Sequence, residues 1–177
     1  STVFPCTTLV RADRLRETGP APLMHKRNAK RIRPGNIEDH LGQLGDCDWI
    51  VEAIVERIDI KRALYEKLEA ARKDGSIVSS NTSTIPLATL VEGMPDRFRS
   101  DFLITHFFNP PRYMRLLELV SGPDTKPESA ALIRAFADVE LGKTVIGCKD
   151  TPGFIANRIG TYWPQSAVVA AIADGVT

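Results

Sequence analysis

A histidine and a carboxylate held side by side can move a proton, and the stretch THFFNPPRYMRLLEL at residues 105–119 sets His106 and Glu118 at a spacing that allows it. Each stands six positions from Arg112. If the segments around 102–107 and 115–120 pair antiparallel across a turn near Arg112, the two side chains lie directly opposite. Their Cβ atoms are then roughly 4.5–5.5 Å apart. The carboxylate could hold one imidazole nitrogen while the other faces a substrate, which is the arrangement of a general base near neutral pH. The plain alternative is a histidine at a strand end and an unrelated glutamate, and spacing alone favours it.

Three further stretches carry polar groups where a ligand could meet them. SSNTST, residues 79–84, directly follows an apolar run. In open α/β sheets ligands gather at the carboxyl ends of strands, where Asn81, Thr82 and Ser83 would offer donors and acceptors. The same residues also suit a turn and an N-cap before a short helix. DTPGFIANRI, residues 150–159, places Asn157 on a helix, either facing a cleft or solvated. VEAIVERIDIK, residues 51–61, puts Glu56 and Lys61 after a strand, where they could reach a cofactor or simply be helix-start charges.

The elements that must position these residues alternate. Asp48–Ile54 reads as a buried strand, and Ile58–Arg72 as a helix with Ile60, Leu64, Leu68 and Ala71 on one face. Strands follow at Ser76–Ser80, Phe102–Phe107, Leu116–Val120 and Thr144–Cys148, with a short helix at 86–92 and a longer one from Pro127 through Glu128–Leu141. Asn109-Pro110-Pro111 stops the third strand, since proline gives a sheet no donor. Gly153–Ala173 reads as a long helix with Pro164 as a kink. Helical patterns also run from Arg11 to a break at Gly19, Pro20 and Pro22, and over Leu23–Lys30, before a turn at Pro34-Gly35. Residues 1–10 resist placement. The alternation argues for a doubly wound α/β sheet. The connection from His106 to Glu118 is too short for a crossover helix, so the last two strands should run antiparallel to the rest.

Composition narrows the function classes. The chain has 177 residues, 23 Lys+Arg against 22 Asp+Glu, and 43% hydrophobic residues. That balance gives no reason to expect a nucleic-acid or membrane partner. Arg11, Arg14, Arg16, Lys26, Arg27, Lys30, Arg31 and Arg33 face only Asp13 and Glu17, a local patch that either attracts a phosphate-bearing ligand or is a solvated face. Cys6, Cys47 and Cys148 lack metal-ligand spacing and fit a reduced cytoplasmic protein. Ser1 stands where an initiator Met would be, so the chain is expected to begin inside a longer protein.

In their order and spacing these motifs resemble the 3-hydroxyacyl-CoA dehydrogenase family of fatty acid β-oxidation, from about Arg11 to the C-terminus and most strongly from Asp46 to Asn157. The resemblance implies an NAD-dependent oxidoreductase of a 3-hydroxyacyl-CoA or related small molecule. It implies His106 of HFFNPP as the catalytic histidine and Glu118 as its partner, with Ser83 of SNTS and Asn157 of DTPGFIANR at the reacting oxygen. Glu56, Lys61, Ser83 and Asn109 would meet the cofactor, and the PAPLMHKRN stretch corresponds to a region near the CoA phosphates. The implied fold is an incomplete, mostly parallel Rossmann-like NAD-binding domain over 1–150, followed at 151–177 by the start of an all-α C-terminal domain. A homo-oligomer, a dimer by the resemblance, and a cytoplasmic location go with it; no metal does.

The sequence departs from the family in two places. No GxGxxG turn occurs, although a helix N-terminus approached by glycine backbone is what cradles a pyrophosphate. The helical domain stops after roughly one helix. The 177 residues alone are therefore expected to be inactive. Two other readings stand beside the main one: a dehydrogenase of another small 3-hydroxy acid on the same fold, and a non-catalytic remnant that keeps a CoA-binding patch.

Overall fold

A computed structural model describes residues 6–8 and 25–176 of the chain. The helical pattern expected from Arg11 and the basic residues Arg11, Arg14 and Arg16 lie outside the described residues. The chain divides into two compact units, Ser1–Ile50 with Ala63–Ile77, and Val51–Arg62 with Val78–Thr177.

In the first unit β1 (Cys6–Thr8) pairs in parallel with β2 (Ile32–Pro34), matching Cys6 to Ile32 and Thr8 to Pro34. Part of the stretch that resisted placement is thus a strand, and Pro34 ends β2 rather than opening a turn. Short 3-10 segments occupy Lys26–Arg31 and Leu41–Asp46. Arg27, Lys30, Arg31 and Arg33 are exposed, as a basic surface requires. Leu64, Tyr65, Leu68 and Ile77 are buried.

The main sheet has the order β3 (Trp49–Glu52), β4 (Ile77–Ser80), β5 (Phe102–Phe107), β6 (Leu116–Ser121) and β7 (Thr144–Cys148). β4 and β5 are parallel, β5 and β6 antiparallel, and β6 and β7 parallel again. The reversal has a simple cause. Residues 108–115 are all that join β5 to β6, and a parallel pair needs a crossover of a dozen residues or more. The last two strands therefore run parallel to each other and against β4 and β5, as the sequence requires. The turn itself is gripped from β7's side by Lys143, whose ammonium donates to the carbonyls of Pro111 and Met114. Burial pushes the pKa of Lys143 down.

β4 and the central part of β5 are buried at every position, so they read as continuous runs rather than alternating ones. Phe98, Phe102, Leu103, Ile104, Leu117, Val120 and Ile133 fill this core, with the rings of Phe98 and Phe102 stacked 5.3 Å apart. Helix α1 (Ile58–Ala71) follows β3, and α2 (Leu87–Leu90) and α3 (Asp96–Ser100) separate β4 from β5. The 86–92 helix is thus shorter than its pattern implied. Helix α4 (Pro127–Val139) packs on β6 and β7, starting on a proline whose missing N–H costs nothing in a first turn.

The face of α1 differs from the expected one. Its buried positions are Lys61, Leu64, Tyr65 and Leu68, while Ile60 is exposed. A lysine takes the place in the stripe that an apolar pattern gives to isoleucine. Helix α5 (Ala156–Ala173) starts three residues later than expected because Gly153 and Phe154 are left-handed, at φ 73° and 48°. It runs unbroken through Pro164.

Candidate active site

The register of β5 against β6 pairs His106 with Glu118. Both side chains are buried, with 4% and 1% of their surface exposed. His106 Nδ1–H donates to Glu118 Oε2 at 2.7 Å. The other carboxylate oxygen, Oε1, accepts the backbone N–H groups of Ile155 at 3.0 Å and Ala156 at 2.8 Å. These are first-turn amides of α5, whose positive end suits a negative charge. Glu118 is thus fixed from two directions, by a strand partner twelve residues away and by a helix start thirty-seven away.

The left-handed pair at Gly153 and Phe154 makes this approach possible. It turns the chain after Thr151 so that α5 points its amides at Glu118. Glycine takes φ 73° freely, but a phenylalanine at φ 48° costs about 1–3 kcal/mol. Packing offsets this, since Phe154 is 2% exposed and its ring lies 5.7 Å from that of His106. Phe108 covers another side of the imidazole at 4.5 Å. With two aromatic rings and a bonded Nδ1, the ring's free edge is Nε2.

Nε2 meets Ser83. The Ser83 hydroxyl lies 3.1 Å from it, within hydrogen-bond reach. Ser83 sits on the turn after β4, and its carbonyl accepts from Asn157 Nδ2 at 3.2 Å. Four residues singled out in the sequence therefore form one cluster: His106, Glu118, Ser83 and Asn157. Asn81 has a different place, its Oδ1 accepting the Phe107 N–H at 2.9 Å and tying the β4 turn to the end of β5.

Glu56 reaches the same turn from below. Its Oε1 accepts the hydroxyls of Thr82 and Thr84 and the amides of Ser83 at 3.0 Å and Thr84 at 3.2 Å. Burial pushes the Glu56 carboxyl up, but the Thr82 hydroxyl, the Lys61 ammonium and the two amides together hold it below the usual range. Lys61 is fully buried, with its ammonium 2.8 Å from Glu52 and 3.4 Å from Glu56. It opens to no ligand directly. Asn109 is exposed on the β5–β6 turn.

Two residues beside the cluster were not singled out as site residues in the sequence. Glu52 is fully enclosed beneath Lys61, and its signal was a charge inside the apolar strand WIVE. Cys148 lies near Glu118 on the neighbouring strand. Burial first, then the charge of Glu118 and a bond to it, push the Cys148 thiol up to about 11. Ser83, Glu56 and Asn109 follow the carboxyl ends of β4, β3 and β5, where an open α/β sheet takes its ligands.

Residues 11–151 match the family model described as the NAD-binding domain of 3-hydroxyacyl-CoA dehydrogenase. The chain is 48% identical over 143 residues to a probable 3-hydroxyacyl-CoA dehydrogenase of Bacillus subtilis, covering 81% of this chain and 18% of that protein. It is 46% identical over 162 residues to a putative fatty acid oxidation complex trifunctional enzyme of Rickettsia felis, covering 92% of this chain and 22% of that one. It thus spans about a fifth of the length of these two relatives. Among solved structures it is similar to FadB2 of M. tuberculosis, with a TM-score of 0.80 and 26% identity over 97% of this chain and 64% of that one.

Proposed function

This chain belongs to the 3-hydroxyacyl-CoA dehydrogenase family, matching its NAD-binding domain, and from that premise we propose that the full-length protein oxidises the 3-hydroxyl of a 3-hydroxyacyl-CoA to a ketone with NAD. The observation that carries the reading is the pinned imidazole: Nδ1 held by a buried carboxylate, Nε2 turned to the Ser83 hydroxyl. The substrate hydroxyl gives its proton to His106 Nε2 as hydride leaves the same carbon. Glu118, itself held by two helix amides, stabilises the imidazolium that results. Ser83 and Asn157 position the reacting oxygen.

The bound nicotinamide supplies hydride acceptance, and the protein supplies orientation and electrostatics. Glu56, Ser83 and Asn109 would hold the nicotinamide end. The partly exposed Glu56 carboxylate and the exposed Asn109 fit that role, and Lys61 contributes from beneath through Glu56. The domain boundary near residue 150 belongs to the same reading, with α5 opening a helical domain. Its exposed Ile159, Tyr162, Trp163, Val169 and Ile172 support packing against further helices and a second copy in a homo-oligomer. Three cysteines without metal-ligand spacing support a reduced, cytoplasmic setting. No helix among the described residues is long and apolar enough to cross a membrane.

The test is NADH formation by the full-length protein on 3-hydroxybutyryl-CoA and longer 3-hydroxyacyl-CoA esters, beside free 3-hydroxy acids and carnitine. Turnover of the thioesters is expected. Turnover of the free compounds alone would move the assignment to another 3-hydroxy acid, and none at all would sink it.

A further inference from the structure

The hydrogen bonds around Lys61 close into a ring. Glu52 Oε1 accepts the Lys61 ammonium at 2.8 Å and the Ile54 N–H at 2.6 Å, and Oε2 accepts the Ser80 hydroxyl at 2.7 Å. Lys61 also lies 3.4 Å from Glu56 Oε2. Glu56 Oε1 in turn takes the Ser83 and Thr84 amides. The Ser80 oxygen accepts the Thr82 N–H at 3.2 Å, which closes the ring on residues 80–84. Ser83 is the member of that turn whose side chain touches His106.

The ring has one rigid corner. The Glu52 side chain is fully enclosed, and both its oxygens are used. Glu56 is the soft corner, 38% exposed and on a loop. One oxygen of its carboxylate holds the turn, and behind the other lies Lys61 on Glu52. A serine has one side-chain torsion, so its hydroxyl goes where its backbone is put. The Ser83 amide is held by Glu56, and its carbonyl by Asn157.

From this geometry we infer that Glu52 is a positioning residue for the site: through Lys61 and Glu56 it sets the turn that holds the Ser83 hydroxyl against His106 Nε2. The inference rests on the proposed dehydrogenase reading for its effect on turnover. Glutamine at 52 keeps the shape but loses the charge. Its amide turns an N–H toward Lys61 or Ser80 where a carboxylate oxygen had accepted from each. Lys61 then leans on Glu56 alone, and the turn shifts. A displacement of about 1 Å at a reacting group costs up to about 100-fold in rate.

The test is a double-mutant cycle in the full-length protein, with two readouts. Glu52→Gln is expected to lower kcat by roughly 10- to 100-fold, and to lower it no further in a Ser83→Ala background, because the group it positions is gone. A merely structural role would lower both backgrounds alike. The second readout needs no activity: the 15N resonance of His106 Nε2, one of three histidines in the chain. It should move in Glu52→Gln and stay where Ser83→Ala alone puts it in the double variant. Ser80→Ala removes the other anchor of Glu52 without stranding a charge. It carries the same cycle if Glu52→Gln does not fold. Equal losses in both backgrounds, or an unmoved Nε2 resonance in a folded variant, overturn the inference. If the parent turns over no 3-hydroxyacyl-CoA, the functional reading fails, and the resonance still decides the positioning.

Discussion

Glu52 and Glu118 are the same residue type in nearly the same setting. Both lie on strands of one sheet, both are buried, and both use two oxygens for different partners. They differ in the partner that carries charge. Glu52 faces a lysine ammonium. Glu118 faces an imidazole, which can gain and lose a proton in the physiological range. The first pair is a fixed strut and the second can do chemistry. Burial and geometry do not distinguish the two carboxylates; the chemical type of the partner does.

The largest expected effect separates the two pairs by rate. If the proposed activity holds, replacing His106 by Gln should lower kcat of the full-length protein by about 10²–10⁴, the usual loss for a general acid–base group. Calorimetry should find NAD binding little changed. Its stability should fall by no more than about 1 kcal/mol in urea, since Glu118 keeps both helix amides. A drop of several kcal/mol would make His106 a structural residue and remove the contrast.

Lys61→Met should do the reverse. It strands the Glu52 carboxylate, whose side chain has no exposed surface, and should destabilise by about 3–5 kcal/mol. Adding Glu52→Gln to it should recover much of that loss, because a buried charge without a partner is what costs. If the double variant is no better than the single, the strut is not electrostatic.

Cys148 reports the charge on Glu118 directly. With its thiol pushed up to about 11, alkylation at pH 8–9 should be slow. Glu118→Gln removes one of the causes, so the thiol value falls, the thiolate fraction rises, and alkylation quickens. Peptide mass spectrometry separates Cys148 from the other cysteines. Glu52→Gln should leave that rate unchanged, and a parallel rise there would refute a local electrostatic effect.

The smallest effect is at Glu56. Its folded value is depressed, so its contribution to stability is complete above roughly pH 4.5 and fades as pH falls through the lower folded value. Melting temperature should decline over that acid range, less steeply in Glu56→Gln. Identical profiles would mean that the turn at 82–84 does not depend on the carboxylate.

Much of this was legible in the sequence for identifiable reasons. The His106–Glu118 register follows from counting, because strands repeat every two residues and a short turn permits one pairing. β5 and β7 lie at the expected residues, bounded by proline pairs and glycine. The face of α1 was misplaced because a pattern of apolar residues cannot foresee that Lys61 is buried and Ile60 is not. The pairing that permits it comes from Glu52, on a different element.

What the chain determined by itself, then, is the alternation of elements, the reversal at β6 and the opposition of histidine and glutamate, all consequences of local periodicity and short connections. What only the tertiary structure decided is which groups complete the site. The amides of Ile155 and Ala156 lie thirty-seven residues and more from Glu118, and Ser83 lies twenty-three from His106. Such partners meet because a sheet brings the ends of its strands together and a left-handed turn at Gly153 and Phe154 swings a helix start onto them. A hydrogen bond depends on distances of a few tenths of an ångström, and no spacing along a chain carries that information.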